Sequence, residues 1–366
     1  MSDKQTPPPD LNALREQIDG VDKQIQDLIS ERARLAQEVG RVKGLTTTAE
    51  FYRPEREAQV LRKVVERNDG PLRDEEMVRV FREIMSACLA QEEPLKVGFL
   101  GPEGTFTQSA VLKHFGHSVH ALPLATIEEV FHEVEAGVAD FGVVPIENSS
   151  EGTVNHTLDM FLTSPLKICG EVELRICQHL MGRMKDISAI QRVCSHPQSL
   201  AQCRAWIAQF LPNVEQIPTS SNAEAARRAR DEDGTAAIAG DAAAEVYSLR
   251  TLFANIEDHA DNTTRFLVIG RKMFPASGQD RSTLLLSARG TEGPGVLHDL
   301  LDPLARHGVS MTRIESRPSR RRKWDYVFFI DIVGHYEDDN VRNAIDEIES
   351  NANLFRVLGS YPRAVL

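Results

Sequence analysis

The chain has 366 residues, 41% of them hydrophobic and 26% charged, a composition that excludes global disorder and leaves room for two or three domains with separate cores. A formal net charge of −12 argues against a nucleic-acid-binding surface, and an anionic substrate would need locally placed arginines or lysines. No run is long and apolar enough to span a bilayer, which argues against a membrane partner, and the polar, proline-rich start from Met1 to Asp10 lacks the apolar centre of a signal peptide.

Cys88, Cys169, Cys177, Cys194 and Cys203 show no metal-ligand or CxxC spacing, so reduced thiols, a cytoplasmic location and no metal are expected. From Leu11 to about Val42, apolar residues recur mostly at alternating steps of three and four, predicting one long amphipathic helix with a coiled-coil-like seam. Pro54 to Arg67 and Asp74 to Glu92 read as two further helices. Three helices with one very long member bury little alone, which predicts pairing with a second copy.

At Pro94 the pattern changes. Leu95–Gly101 reads as a strand, followed by the turn Gly101-Pro102-Glu103-Gly104-Thr105 and a helix. Phe141–Ile146, Arg192–Ser195, Ala236–Ala239 and Phe266–Ile269 read as later strands, giving α/β architecture with a largely parallel sheet. After a linker at Met273–Arg281 the order becomes βαββαβ, the ferredoxin-like arrangement. The expected units are residues 8–93, 95–271 and 281–363.

Arg32 and Lys43 are eleven positions apart, which at ~100° per residue places them about 20° from each other on one helix face. Arg15 lies roughly 100° off that face, so it does not easily join the same pocket in its own chain but could reach one in a partner, and a solvated helix face would account for each arginine singly. With Leu14-Arg15, Glu31-Arg32, Val39-Gly40-Arg41-Val42-Lys43 and Arg56-Glu57, this segment resembles the all-helical chorismate mutase family. The resemblance implies that Arg32 and the partner's Arg15 hold carboxylates, Lys43 donates to the ether oxygen, and Glu57 holds the ring hydroxyl. Arg56 and Cys88 would complete the substrate contacts. Two positions depart from the family pattern: Arg53 stands for an aspartate, and Glu92 stands for a glutamine beside the ether oxygen. A carboxylate at Glu92 would favour mutase activity in mild acid.

Four polar clusters sit at strand ends in the central segment: GPEGTFTQ from Gly101, PIENSSEG from Pro145, SHPQSLAQC from Ser195, and DNTTRF from Asp261. No GxSxG elbow, HExxH pair or nucleotide-binding glycine loop is present, so hydrolase, metal and nucleotide-cofactor chemistry are not expected. Together the clusters resemble prephenate dehydratase, which implies two α/β lobes, like a periplasmic binding protein, around a cleft. By that resemblance Thr264 would donate the proton to the departing hydroxide, and Arg265 would pair with a carboxylate. Glu147, Asn148, Ser149, Ser195, Gln202 and Phe266 would position the substrate.

In the last segment Gly295-Val296-Leu297 and Glu315-Ser316-Arg317-Pro318 resemble the two ligand motifs of phenylalanine-sensing ACT domains. The three resemblances follow the order of the bacterial bifunctional chorismate mutase–prephenate dehydratase family. They imply conversion of chorismate to prephenate and then phenylpyruvate, inhibition by phenylalanine, and a homodimer or higher homo-oligomer without cofactor. Arogenate as an alternative second substrate stays open. So do a helical segment acting only as a dimerisation arm, and a non-catalytic amino-acid sensor, although TTRF argues against the sensor.

Overall fold

The computed structural model describes residues 10–43, 52–91, 93–288, 294–319 and 326–365. Lys43 is described only in its backbone, and Glu92 lies outside the described residues. The helical segment consists of Leu11–Lys43, Pro54–Glu66 and Asp74–Leu89. Pro54 stands at the first turn of its helix, where its missing N–H has no partner to lose. Tyr52, just before it, is 3% exposed among Phe115 and Phe141 of the next segment, and its hydroxyl meets His114 Nε2 at 2.8 Å. Arg62 donates to Ser277 O, Ser277 Oγ and Gln279 O, tying the same helices to the later linker.

The long helix stands apart from this packing. Ile18, Val21, Leu28 and Leu35 are all more than half exposed, and the apolar seam predicted from sequence is uncovered in the single chain.

Fifteen strands follow in the described residues, in three sheets. The first contains β1 (Lys96–Leu100), β2 (His120–Leu124), β3 (Phe141–Asn148), β4 (Gly152–Thr153) and β5 (Lys167–Arg175). The second contains β6 (His179–Gly182), β7 (Arg192–Ser195), β8 (Glu215–Pro218), β9 (Thr235–Ala239) and β10 (Arg250–Phe253). β11 (Thr263–Gly270) returns to the first sheet between β3 and β5, antiparallel to both. The two lobes are thus joined by neighbouring strands: β5 leads out, and β11 leads back.

That return corrects the expectation of a largely parallel sheet. Pairing is parallel only within β2-β1-β3 and β8-β7-β9, and both sheets are mixed.

The third sheet, in order β13-β14-β12-β15, is antiparallel throughout and has the predicted ferredoxin-like connectivity. Its strands are β12 (Asp280–Ala288), β13 (Met311–Pro318), β14 (Tyr326–Val333) and β15 (Ala352–Pro362). One face is covered by helices Val296–Arg306 and Asp339–Asn351. The other shares a single core with the first lobe, where Leu285, Phe329, Leu358 and Tyr361 pack among Val144, Ile146, Leu267 and Ile269. The approach is close: a Cβ on Gly359 would lie 2.2 Å from the backbone oxygen of Ile168, so only glycine fits there.

Candidate active sites

A cleft of about 400 Å³ opens between the two α/β lobes, at the carboxyl ends of their strands. Pro145 and Asn148 reach it from β3, and Asn262, Thr264 and Phe266 from the start of β11. Asn148 is fixed by its own turn, since its Oδ1 accepts from Ser150 N at 2.9 Å and Glu151 N at 3.0 Å. Its Nδ2 donates to Thr264 Oγ1 and to Asn262 Oδ1, both at 2.8 Å. Because Thr264 Oγ1 accepts that bond, its own proton is available to an acceptor in the cleft. Thr264 is only 9% exposed, so the hydroxyl acts in a sparsely hydrated place.

The second lobe supplies an amide and hydroxyl network. Gln178 Nε2 donates to Ser199 Oγ at 3.0 Å and Gln202 Oε1 at 3.2 Å, and Asn222 Nδ2 donates to Ser199 Oγ at 2.9 Å. Ser195 does not reach the cleft. It is fully buried, donates to Ile238 O at 2.6 Å, and supports the strand end from behind.

The cleft is lined among the described residues by neither lysine nor arginine, against the expectation of placed cations. Helix N-termini take their place. Helices Phe106–Phe115, Pro197–Gln202 and Asn222–Asp231 all begin at its rim, capped by Thr105, His196 and Ser221. The caps take the N–H groups of Gln108, Gln198 and Glu224, and the helix ends turn a partial positive charge to an anion.

Strand alternation explains where the expected cation went. Thr264 and Phe266 face the cleft, so Arg265 between them faces away. Its guanidinium donates to Glu171 Oε2 at 2.9 Å, Asp331 Oδ2 at 2.6 Å and Tyr361 Oη at 3.0 Å. Burial opposes its charge, but Tyr361, Asp331 and Glu171 outweigh that and push its pKa up. The same alternation turns Glu147 to Arg313 Nε, at 3.2 Å. In this arrangement neither Arg265 nor Glu147 is placed to hold a ligand in the cleft. Ser149 braces the turn, its Oγ accepting from Thr263 N at 3.0 Å, while Gln202 and Phe266 line the cleft itself.

In the helical segment Arg32 and Glu57 are half-buried, Arg15 and Arg56 are exposed, and Cys88 is half-buried. Seventeen residues at ~1.5 Å each separate Arg15 from Arg32 by about 25 Å along the helix, too far for one pocket. Gln91, next to Glu92, donates no charge here and accepts from Gln37 Nε2 on the long helix.

Arg82 was not singled out from sequence. Its side chain is 12% exposed and lies 3.9 Å from Glu57. Its position midway between the buried residues Val78 and Ser86, on a four-residue stripe, was the available signal. Burial pushes Glu57 up to about 7, with Arg82 and then Arg32 opposing. A carboxyl raised this way binds its proton in the folded state before the unfolded one, so its contribution to stability is complete below about 4.5 and lost as pH rises to about 7. Unfolding free energies measured across that window should fall with pH by an amount of order 1–3 kcal/mol, and Glu57→Gln should flatten that slope. An unchanged slope in the variant would contradict it.

At the third segment Gly295 caps its helix with φ 88°, a left-handed conformation that suits glycine, and Val296 and Leu297 are half-buried. Ser316 and Pro318 are exposed, on the side of β13 opposite Glu315 and Arg317. Those two are already engaged. Glu315 Oε1 accepts from Thr153 Oγ1 at 2.5 Å, and Arg317 Nη2 donates to both oxygens of Asp159 at 2.8 and 2.9 Å. In this arrangement Glu315 and Arg317, expected at the effector, contact the first lobe.

Three family models match the chain: chorismate mutase type II over residues 14–93, prephenate dehydratase over 97–274, and the ACT domain over 283–350. A bifunctional chorismate mutase/prephenate dehydratase from Stutzerimonas stutzeri is 56% identical over 361 residues, covering 97% of this chain and 98% of that protein. One from Pseudomonas aeruginosa is 54% identical over the same shares of the two chains. Among solved structures, prephenate dehydratase from Arthrobacter aurescens in complex with L-Phe is 35% identical. It superposes with a TM-score of 0.68 over 74% of this chain and 90% of that one. With both of its segments of predicted chemistry and its third segment matched in order, the chain belongs to the bifunctional chorismate mutase/prephenate dehydratase family.

Proposed function

We propose that this chain rearranges chorismate to prephenate in its helical unit, residues 8–93. In the α/β unit, residues 95–271, it converts prephenate to phenylpyruvate, and phenylalanine restrains it through residues 281–363. The single observation that carries the second step is the Asn148–Thr264 hydrogen bond at a cleft rimmed by three helix N-termini. The substrate's two carboxylates are held at those helix N-termini and by the Gln202 amide, whose Oε1 accepts from Gln178 so that its N–H groups turn to the cleft. The ring carboxylate leaves as carbon dioxide, and its electron pair enters the ring. The carbon–oxygen bond opposite breaks, and the hydroxide takes a proton from Thr264, which water restores. Aromatisation drives the step, so the protein orients the groups and stabilises the leaving oxygen.

The first step forms no covalent enzyme intermediate. Arg32 and Lys43, Arg15 from a second copy, and Glu57 hold the reactive conformer, with Arg56, Cys88 and Glu92 around it. Glu57 already lies beside Arg82, so this site carries a cation that the sequence pattern did not name. The uncovered seam of the long helix supports a homodimer as the working form. No described helix is long and apolar enough to cross a membrane. The relative solved with L-Phe supports phenylalanine as effector, near Gly295, Val296, Leu297, Ser316 and Pro318.

Purified protein given chorismate should release prephenate and then phenylpyruvate, with phenylalanine suppressing the second product. Prephenate should turn over faster than arogenate when the two are compared directly. Conversion of prephenate with chorismate untouched would reduce the helices to a dimerisation arm. Failure of both substrates would remove the enzymatic reading.

A further inference from the structure

Two adjacent rungs of one β-ladder carry opposite duties. Thr264 pairs with Asn148, and Arg265 pairs with Glu147, on neighbouring positions of β11 and β3. The first rung faces the cleft, and the second faces the ferredoxin-like sheet. Both side chains of the second rung are gripped from that sheet. Arg265 donates to Asp331 on β14 and Tyr361 on β15, and the half-exposed Glu147 carboxylate forms an ion pair with Arg313 on β13. The partners are themselves anchored. Asp331 also accepts from Thr283 Oγ1 at 2.6 Å, and Arg313 Nη2 donates to Thr153 Oγ1 at 3.1 Å. Thr153 itself pairs with Glu147 across β4 and β3.

Cohesion does not require these charges, because a continuous apolar core already joins the two units. Buried ion pairs contribute little net stability compared with well-packed apolar side chains, and serve better to fix one geometry. A shift of β13 or β14 reaches the backbone of Asn148 and Thr264 through one residue on each strand. Misplacing a reacting group by about 1 Å costs on the order of 100-fold in rate.

We propose that Glu147 and Arg265 are positioning residues for prephenate turnover, holding the Asn148–Thr264 pair in register with the ferredoxin-like domain through Arg313 and Asp331. The regulatory half of this inference, that phenylalanine acts by moving this rung, rests on the effector reading above. The positioning half stands without it.

The test uses the full-length protein and a double-mutant cycle on Glu147→Gln and Arg313→Gln, read on prephenate turnover with chorismate turnover and thermal midpoint as controls. Each single variant should lower kcat for prephenate by ~10-fold or more with KM little changed. The double variant should be no worse than either single, and Arg313→Lys should recover part of the loss. In Arg313→Gln, phenylalanine should still bind by calorimetry within a few-fold of the parent yet inhibit at least ~10-fold less. Losses that multiply in the double variant, or a parent-like kcat in Arg313→Gln, would overturn the positioning role. Parent-like inhibition in Arg313→Gln would overturn the coupling. If phenylalanine fails to bind even the parent, the effector reading fails by itself, and the kcat cycle still decides the positioning.

Discussion

Replacing Thr264 by valine lowers kcat for prephenate by ~10²–10⁴-fold, the range that a positioned proton donor contributes, and leaves chorismate turnover within about twofold. The valine keeps the branched shape at a site only 9% exposed, so packing changes little. Asn148 loses one acceptor but keeps Asn262 Oδ1 at 2.8 Å, so its amide is not stranded. Thr264→Ser keeps the hydroxyl and should retain most of the rate. Turnover at saturating prephenate checks the pair, and a valine variant with more than about a tenth of the parent kcat would remove Thr264 from the proton's path.

The same strand shows where sequence reading succeeds and where it stops. TTRF was legible as a functional cluster because the five polar residues Asp261 to Arg265 run straight into the apolar part of a strand, Thr263–Gly270. What the cluster does depends on which side chains face the cleft. Period-two alternation could separate Thr264 from Arg265, but not say which of them faced substrate, since the far face of a strand is plain core unless another domain covers it. It is instead an interface with a domain that begins fifteen residues later in the described fold, and the acids that hold Arg265 come from β5 and β14. Glu315 and Arg317 show the same limit. Their motif marks the effector strand, but alternation sends them to Thr153 and Asp159, leaving Ser316 and Pro318 on the free side.

Gln178 was missed because it sits in no dense polar run of the kind that flagged the other clusters. Asn222 follows Thr219-Ser220-Ser221 at the end of β8, and the strand-end rule applied there would have found it. The mixed sheets were illegible for a topological reason. Nothing local in Phe266–Ile269 records that the strand returns from the second lobe to lie antiparallel between β3 and β5. The helical segment and the βαββαβ order, by contrast, follow from local periodicity, and they were read correctly from it.

A mixture of two inactive variants should recover mutase activity. The argument starts from the long helix, whose Leu11, Ile18, Val21, Leu28 and Leu35 are 52–64% exposed in the single chain. Covering what remains exposed of each is worth ~1–2 kcal/mol, so five of them represent on the order of 5 kcal/mol of burial that a second seam of the same kind can supply. In a closed two-fold pair the surface that serves one site also serves the other. Arg32 of one chain and Arg15 of its partner then share a pocket, as the ~25 Å between them within a single helix requires.

Arg15→Ala and Arg32→Ala should therefore each reduce chorismate turnover by more than ~100-fold alone, through loss of a carboxylate contact in every site. Co-expressed, they form mixed dimers in which one site receives both intact arginines and the other neither. Random pairing makes half of the dimers mixed, so about a quarter of the parental activity should return. Prephenate turnover should stay at the parental level throughout, since Thr264 and its cleft lie within one chain. No recovery on co-expression, with mixed dimers verified by differential tagging, would mean that both arginines act within a single chain and that the seam joins copies for some other purpose.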